Sequence, residues 1–264
     1  MNIVLRELRA NLKSLIIWSV SMVLLIGAGM VKYSGIAAVG QSANELLNQL
    51  PAAMKSVLGM NYLDLTSISG YYGMFFLYFL LLGGTHAVML GAIIISKEER
   101  DKTADFLFVK PIVRSRVITA KLIAVLINLV IFNLVTLFAS VFFVAMYNKG
   151  NPINDQIIYL MISLFILQVI FASIGAGISG LAKNTKKAAS LTTTLFLVTF
   201  LLSVAIELYN KIDFLKYFTP FKYFPTVEVI KGSFDPFFLF LAAVIIIGFT
   251  VLTYITFRKR DFYI

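Results

Sequence analysis

Six apolar runs, each able to cross a lipid bilayer, dominate this chain: Leu15–Val31, Tyr71–Ile95, Val117–Tyr147, Ile157–Ala182, Ala188–Leu208 and Phe237–Phe257. A spanning helix needs about 20 apolar residues. In lipid the backbone must satisfy its own N–H and C=O groups, and for such runs the helix does this within the segment. The chain therefore reads as an all-α membrane protein with six transmembrane helices. The first run is short, but Lys13 and Lys32 flank it and can snorkel to the two interfaces. The third is longer than a bilayer needs and carries Lys121 near its start. Its apolar part is expected to begin at Leu122, with the preceding turn projecting into water.

Composition agrees. Hydrophobic residues make up 59 % of the 264 and charged residues 14 %, against about half and about a quarter in soluble domains. The net charge of +10 reads as membrane topology rather than nucleic-acid binding. The aromatics, 24 Phe among them, lie inside apolar runs and do not interleave a basic groove. With no Cys, disulfides, thiolate chemistry and Cys-based metal sites are excluded. Arg6, Arg9 and Lys13 before Leu15 resemble a signal peptide, but the run exceeds the usual h-region and no clear cleavage site follows, so an uncleaved first helix is expected.

Lys and Arg set the orientation. Most of the 23 fall on one side: at the N-terminus, after span two, after span four and in the C-terminal tail. The positive-inside rule makes that side cytoplasmic, with both termini on it. Residues 1–14 place Ile3, Val4, Leu8 and Leu12 among three cations, the pattern of an amphipathic helix on the inner leaflet. Outside, Leu46, Leu47, Leu50, Ala53, Met54, Val57 and Leu58 recur at helical spacing. The outer segment 210–236 sets Pro220 and Pro225 among aromatics, which favours the interface and stops a continuous helix.

The loop from Ser96 to Arg116 carries the most information. Charges fill its first half, including Glu98, Glu99, Arg100 and Asp105. Phe106, Leu107, Phe108 and Val109 then form an apolar knot closed by Pro111. Thr103 is suited to cap a short helix. Such a helix can lie on the membrane, pack under its own bundle or fit a partner's groove.

The run ISKEERDKTADFLFVKPIVRSRVITAKL resembles the permease subunits of type-2 ABC exporters. The matching positions are Glu98, Glu99, Thr103, Phe106, Leu107, Pro111, Ser115, Arg116 and Lys121, with Lys102 where that family often has Gly. ELLNQLPAAMKSVLGM and FTPFKYFPT, at residues 45–60 and 218–226, resemble the same family. The resemblance implies two permeases, copies or paralogues, paired in a bacterial plasma membrane. Each would hold a cytoplasmic ABC ATPase through a short coupling helix in residues 96–116, contacted by Glu98, Glu99, Arg100, Thr103, Asp105, Phe106, Leu107, Phe108, Pro111 and Arg116. It also makes the N-terminal helix the elbow that borders the ATPase. No G-x-x-x-x-G-K-[ST] run occurs. The chain is therefore expected to be no enzyme and to bind no cofactor, with ATP and Mg on the partner.

Several intramembrane residues are candidates for a substrate path: His86, Asn128, Asn133, Thr136 and Gln168. Hydrogen bonding between helices accounts equally well for the Asn, Thr and Gln residues, and for His86, with no acidic neighbour in its span, a packing role is the expected one. Gly175, Gly177 and Gly180 match G-x-G-x-x-G, but inside an apolar run small residues serve close helix approach, not a nucleotide. Glu207 lies near the outer end of span five, where water reaches it. Two other functions compete. A secondary transporter often carries acids or broken helices in mid-membrane, and these spans hold almost none. An intramembrane metalloenzyme needs more ligands than one His provides. The substrate expected of an apolar pathway is an amphipathic peptide, lipid or drug.

Overall fold

The computed structural model describes residues 3–39, 49–58, 60, 63–100, 113–148, 150, 152–182 and 185–259. Its elements are α1 (Ile3–Val39), α2 (Ala52–Val57), α3 (Ile68–Arg100), α4 (Arg114–Tyr147), α5 (Asn154–Leu181), α6 (Thr185–Leu208), two 3-10 turns (Asn210–Phe218 and Pro220–Lys222), α7 (Thr226–Ile230) and α8 (Pro236–Lys259). Six helices among the described residues are long and apolar enough to cross a membrane, and each matches one of the six runs, the fourth to within one residue at its end.

Two of the helices depart from the expectation at their starts. α1 passes without a break from the amphipathic segment into the first span, so residues 3–14 are helical, as expected, but no bend sets them off. α4 begins at Arg114, and its residues Val117, Ile118 and Lys121 are buried. The turn expected to project into water is instead packed in the bundle. The amphipathic stretch that begins at Leu46 forms only the short α2 within the described residues, with Met54 and Val57 half exposed; residues 40–48 lie outside them.

α3 and α5 are the most buried spans and α8 the least. The closest packing is α3 on α5, with α1 on α4, α8 on α5 and α6 on α3 around that pair. Glycine makes the central crossing close. A Cβ at Gly175 would meet Val88 O at 2.8 Å and Ala92 N at 2.9 Å, and one at Gly91 would run into the Ala172 carbonyl. The two backbones touch where side chains would hold them apart, and lipid-solvated helices gain their contact energy from such approach. Gly177 and Gly180 abut Phe249 and Thr256 of α8. The G-x-G-x-x-G run is thus a packing surface on both sides.

Aromatics fill the end of the bundle where α3 begins. The Tyr71 ring lies 5.9 Å from Phe75 and 5.3 Å from Tyr33 of α1, and its hydroxyl donates to Gly29 O at 2.8 Å. Segment 210–236 folds into this end. Phe221 is buried against Phe196 (5.2 Å), Phe200 (5.5 Å) and Phe171 (5.6 Å). Tyr223 stacks on Phe238 at 5.1 Å, and Thr219 Oγ1 donates to Thr199 O at 2.8 Å. The segment is broken at its prolines into short helical pieces, and the aromatic rings anchor them.

Candidate functional site

Two clusters carry chemistry. The first lies in mid-bundle, between α3, α4 and α5. Asn133, Thr136 and Ser140 lie on one face of α4 by their spacing, and they and Asn128 are all buried. Asn133 Nδ2 donates to Gln168 Oε1 of α5. Gln168 Nε2 donates to Gly83 O of α3 at 3.2 Å. Glycine at 83 leaves room for this, since a Cβ there would lie 2.9 Å from Gln168 Nε2. Three helices are thus joined by two side-chain amides. His86 sits one turn further along α3, its ring 4.9 Å from Phe132 and 5.7 Å from Trp18.

Of the five path candidates, the structure brings Asn133 and Gln168 into contact. Asn128 and Thr136 bond to carbonyls of their own helix, Ala124 O and Phe132 O, both at 2.8 Å. His86 is packed among rings and its Nδ1 has no hydrogen-bond partner. All five are enclosed within this one chain, with exposures from 0 to 8 %.

The second cluster lies at the basic end of the bundle, where α3 ends and α4 begins near Arg6, Arg9 and Arg258. Glu7 of α1 is fully buried. Its Oε2 lies 2.6 Å from Lys97 Nζ of α3, and its Oε1 2.9 Å from Arg6. Lys121 of α4, also fully buried, interacts electrostatically with Glu7 and donates to Ile94 O of α3. A buried Lys needs such compensation, because the cost of removing an ammonium from water exceeds what an apolar pocket returns. The α4 root is further held to α8: Arg114 donates to Arg258 O at 3.1 Å, and the Thr119 and Tyr254 hydroxyls lie 2.7 Å apart.

Lys121, expected in water, is enclosed, and Glu7 joins it although its place in the sequence pattern did not single it out. A signal was present for Glu7. The buried stripe of α1 runs Tyr33, Met30, Ile26, Met22, Leu15, and stepping it back two turns lands on Glu7. No other acid precedes Glu45.

Of the residues expected to couple to a partner, Arg116 is exposed beside a surface cleft of about 460 Å³ that also includes Val4, Val113, Ser115 and Thr119. Glu98, Glu99 and Arg100 fall in the last turn of α3, and their side chains lie outside what is described. Thr103, Asp105, Phe106, Leu107, Phe108 and Pro111 lie outside the described residues. No group of three or more metal-binding side chains occurs among the described residues.

A second cleft, about 590 Å³, opens at the far end between α3, α6 and segment 210–236. Its lining mixes apolar side chains, among them Leu77, Leu80, Phe200, Val204 and Phe221, with the ion pairs Glu207–Lys222 at 2.9 Å and Asp213–Lys216 at 2.6 Å. Glu207 is therefore paired and half-buried rather than simply solvated.

Comparison with curated proteins gives no match. The family model described as "ABC-2 family transporter protein" matches residues 1–262, nearly the whole chain. That match covers all six apolar helices and both clusters: the chain belongs to the ABC-2 transporter family and is a multi-pass membrane component of a transporter.

Proposed function

We propose that this chain is the transmembrane subunit of an ATP-driven exporter, with a second permease copy or paralogue beside it and cytoplasmic ABC ATPases below. One observation carries the reading: the two helix ends that root loop 101–112 are fixed side by side at the basic end by buried charge, through Glu7, Lys97 and Lys121. A lever that takes up the stroke of a nucleotide-driven motor must be anchored in the helices it moves. The loop's apolar knot, Phe106 to Val109, is the part a partner's groove would take.

The positive-inside rule makes the basic end cytoplasmic, with both termini there, and a bacterial plasma membrane is the setting. ATP and Mg belong to the partner. The far cleft, lined by apolar and charged side chains together, supports an amphipathic substrate: peptide, lipid or drug. The enclosure of the mid-bundle amides favours a helix-joining role for them over a place on the substrate's route.

The test is affinity purification of the tagged chain from its native membrane. A soluble P-loop ATPase is expected to come down with it. Transport by the isolated chain, without ATP or partner, would refute the reading.

A further inference from the structure

We infer that Glu7 is a positioning residue for the coupling loop, locking both of its roots to the first helix. The inference rests on the exporter reading for its functional consequence, and on the geometry of three helices for its substance.

The first eleven residues described in α1, residues 3–13, run unbroken into the apolar part of the same helix. Any displacement of this segment is therefore transmitted along a single rigid helix. Within it Glu7 is the one acid, and it is turned inward, fully buried. Lys97, which it meets at 2.6 Å, sits three residues before the end of α3. Lys121, its second cation from a neighbouring helix, sits two turns into α4 and is tied to α3 through Ile94 O. One carboxylate thus faces a cation from each of the two helices that flank loop 101–112.

The arrangement is asymmetric. Lys97 and Arg6 are partly exposed and keep access to water. Lys121 has none. Neutralising Glu7 removes negative charge beside a buried ammonium, and the cheapest relief is to separate α4 from α1 and α3 until water reaches Lys121. Glu7 therefore holds the roots closed, and its loss opens them at the basic end while the glycine crossing and the aromatic end are untouched.

The chain has no cysteine, so engineered pairs report without background. Val4 and Val113 border the same cleft, one on α1 and the other at the root of α4. Val4→Cys and Val113→Cys together are cross-linked with a short bismaleimide in the full-length chain in lipid bilayers. Glu7→Gln is expected to slow that cross-linking about five-fold, an ordinary coupling within one charge network, whereas Glu7→Asp, which keeps the charge, retains most of the rate. Adding Lys97→Met to Glu7→Gln is expected to cost little more, since both remove the same tie. If Glu7→Gln fails to fold, Glu7→Gln combined with Lys121→Met, which removes the buried ammonium as well, carries the test: its roots are expected to stay closed and to cross-link at the parent rate, and a slowed rate counts against the inference. In complexes assembled with the ATPase, Glu7→Gln is expected to lower ATP hydrolysis per assembled complex, and Glu7→Asp to restore it. A merely structural role would change the yield of complex and not the rate per complex. Cross-linking at the parent rate in Glu7→Gln, or equal impairment by Gln and Asp, overturns the inference. A parent chain that activates no ATPase overturns the exporter reading, while the cross-linking arm still decides the role of Glu7.

Discussion

Asn133 donates its side-chain amide to Gln168, and Gln168 in turn donates to the Gly83 carbonyl at 3.2 Å, so one pair of side chains joins three spans at mid-depth. In hydrocarbon no water competes for these groups. Measured interhelical hydrogen bonds nevertheless contribute only about 1 kcal/mol, because the separated helices find other partners.

Asn133→Ala and Gln168→Ala are each expected to destabilise the folded chain by about 1 kcal/mol. The double variant should lose less than the sum of the two, since the Asn133–Gln168 bond is shared. Reversible unfolding in mixed micelles measures all three. Full additivity would show that the two amides act independently.

Gly175→Leu is expected to be among the most damaging single changes at the helix crossings. The added side chain would meet the backbone of α3 at Val88 and Ala92, which cannot yield as a flexible side chain can. Overpacking of this kind costs about 1–3 kcal/mol. Gly248→Ala, at a position facing open space, is the matched control and should leave the thermal midpoint in place. Equal midpoints for the two would contradict the close α3–α5 crossing.

Phe221→Ala should loosen segment 210–236 without disturbing the basic end. Three ring contacts are lost, each contributing about 1 kcal/mol at most beyond ordinary packing. Hydrogen exchange is expected to rise across residues 210–230 and to stay unchanged in α3 near Lys97. A uniform rise through the bundle would mean that the segment is part of the core rather than a plug set into its end.

The orientation is open to direct labelling. With Ser42→Cys and Ser115→Cys made singly, an impermeant thiol reagent added to intact cells should label the first and not the second. Labelling of Ser115→Cys alone would invert the arrangement.

What the sequence revealed and what it hid follow one physical division. Lipid forces each apolar run to satisfy its own backbone, so run length and hydropathy translate into helices one for one. The packing role of Gly175, Gly177 and Gly180 was legible for a related reason: small residues inside an apolar run have little else to do. The cluster of Glu7, Lys97 and Lys121 was not legible, because its pairing is made across residues far apart in sequence. Lys121 looked like a snorkelling cation at a helix end, and only the position of α3 and α1 around it shows that it is enclosed. Likewise Asn133 and Gln168 were recognisable as polar residues needing partners, but not as partners of each other. Loop 96–116 is the reverse case: its sequence pattern is its strongest feature, and the structure describes its roots.

The measurement that bears most directly on the account is ATP hydrolysis by the complex purified on the tagged chain, compared between the parent and Phe106→Asp. The substitution places a charge in the apolar knot while leaving the six spans untouched. The account predicts a parent complex whose ATPase is stimulated by an amphipathic ligand, and a Phe106→Asp chain that folds and inserts normally but has lost the stimulation. Full stimulation in Phe106→Asp, or transport that proceeds without ATP, would contradict it.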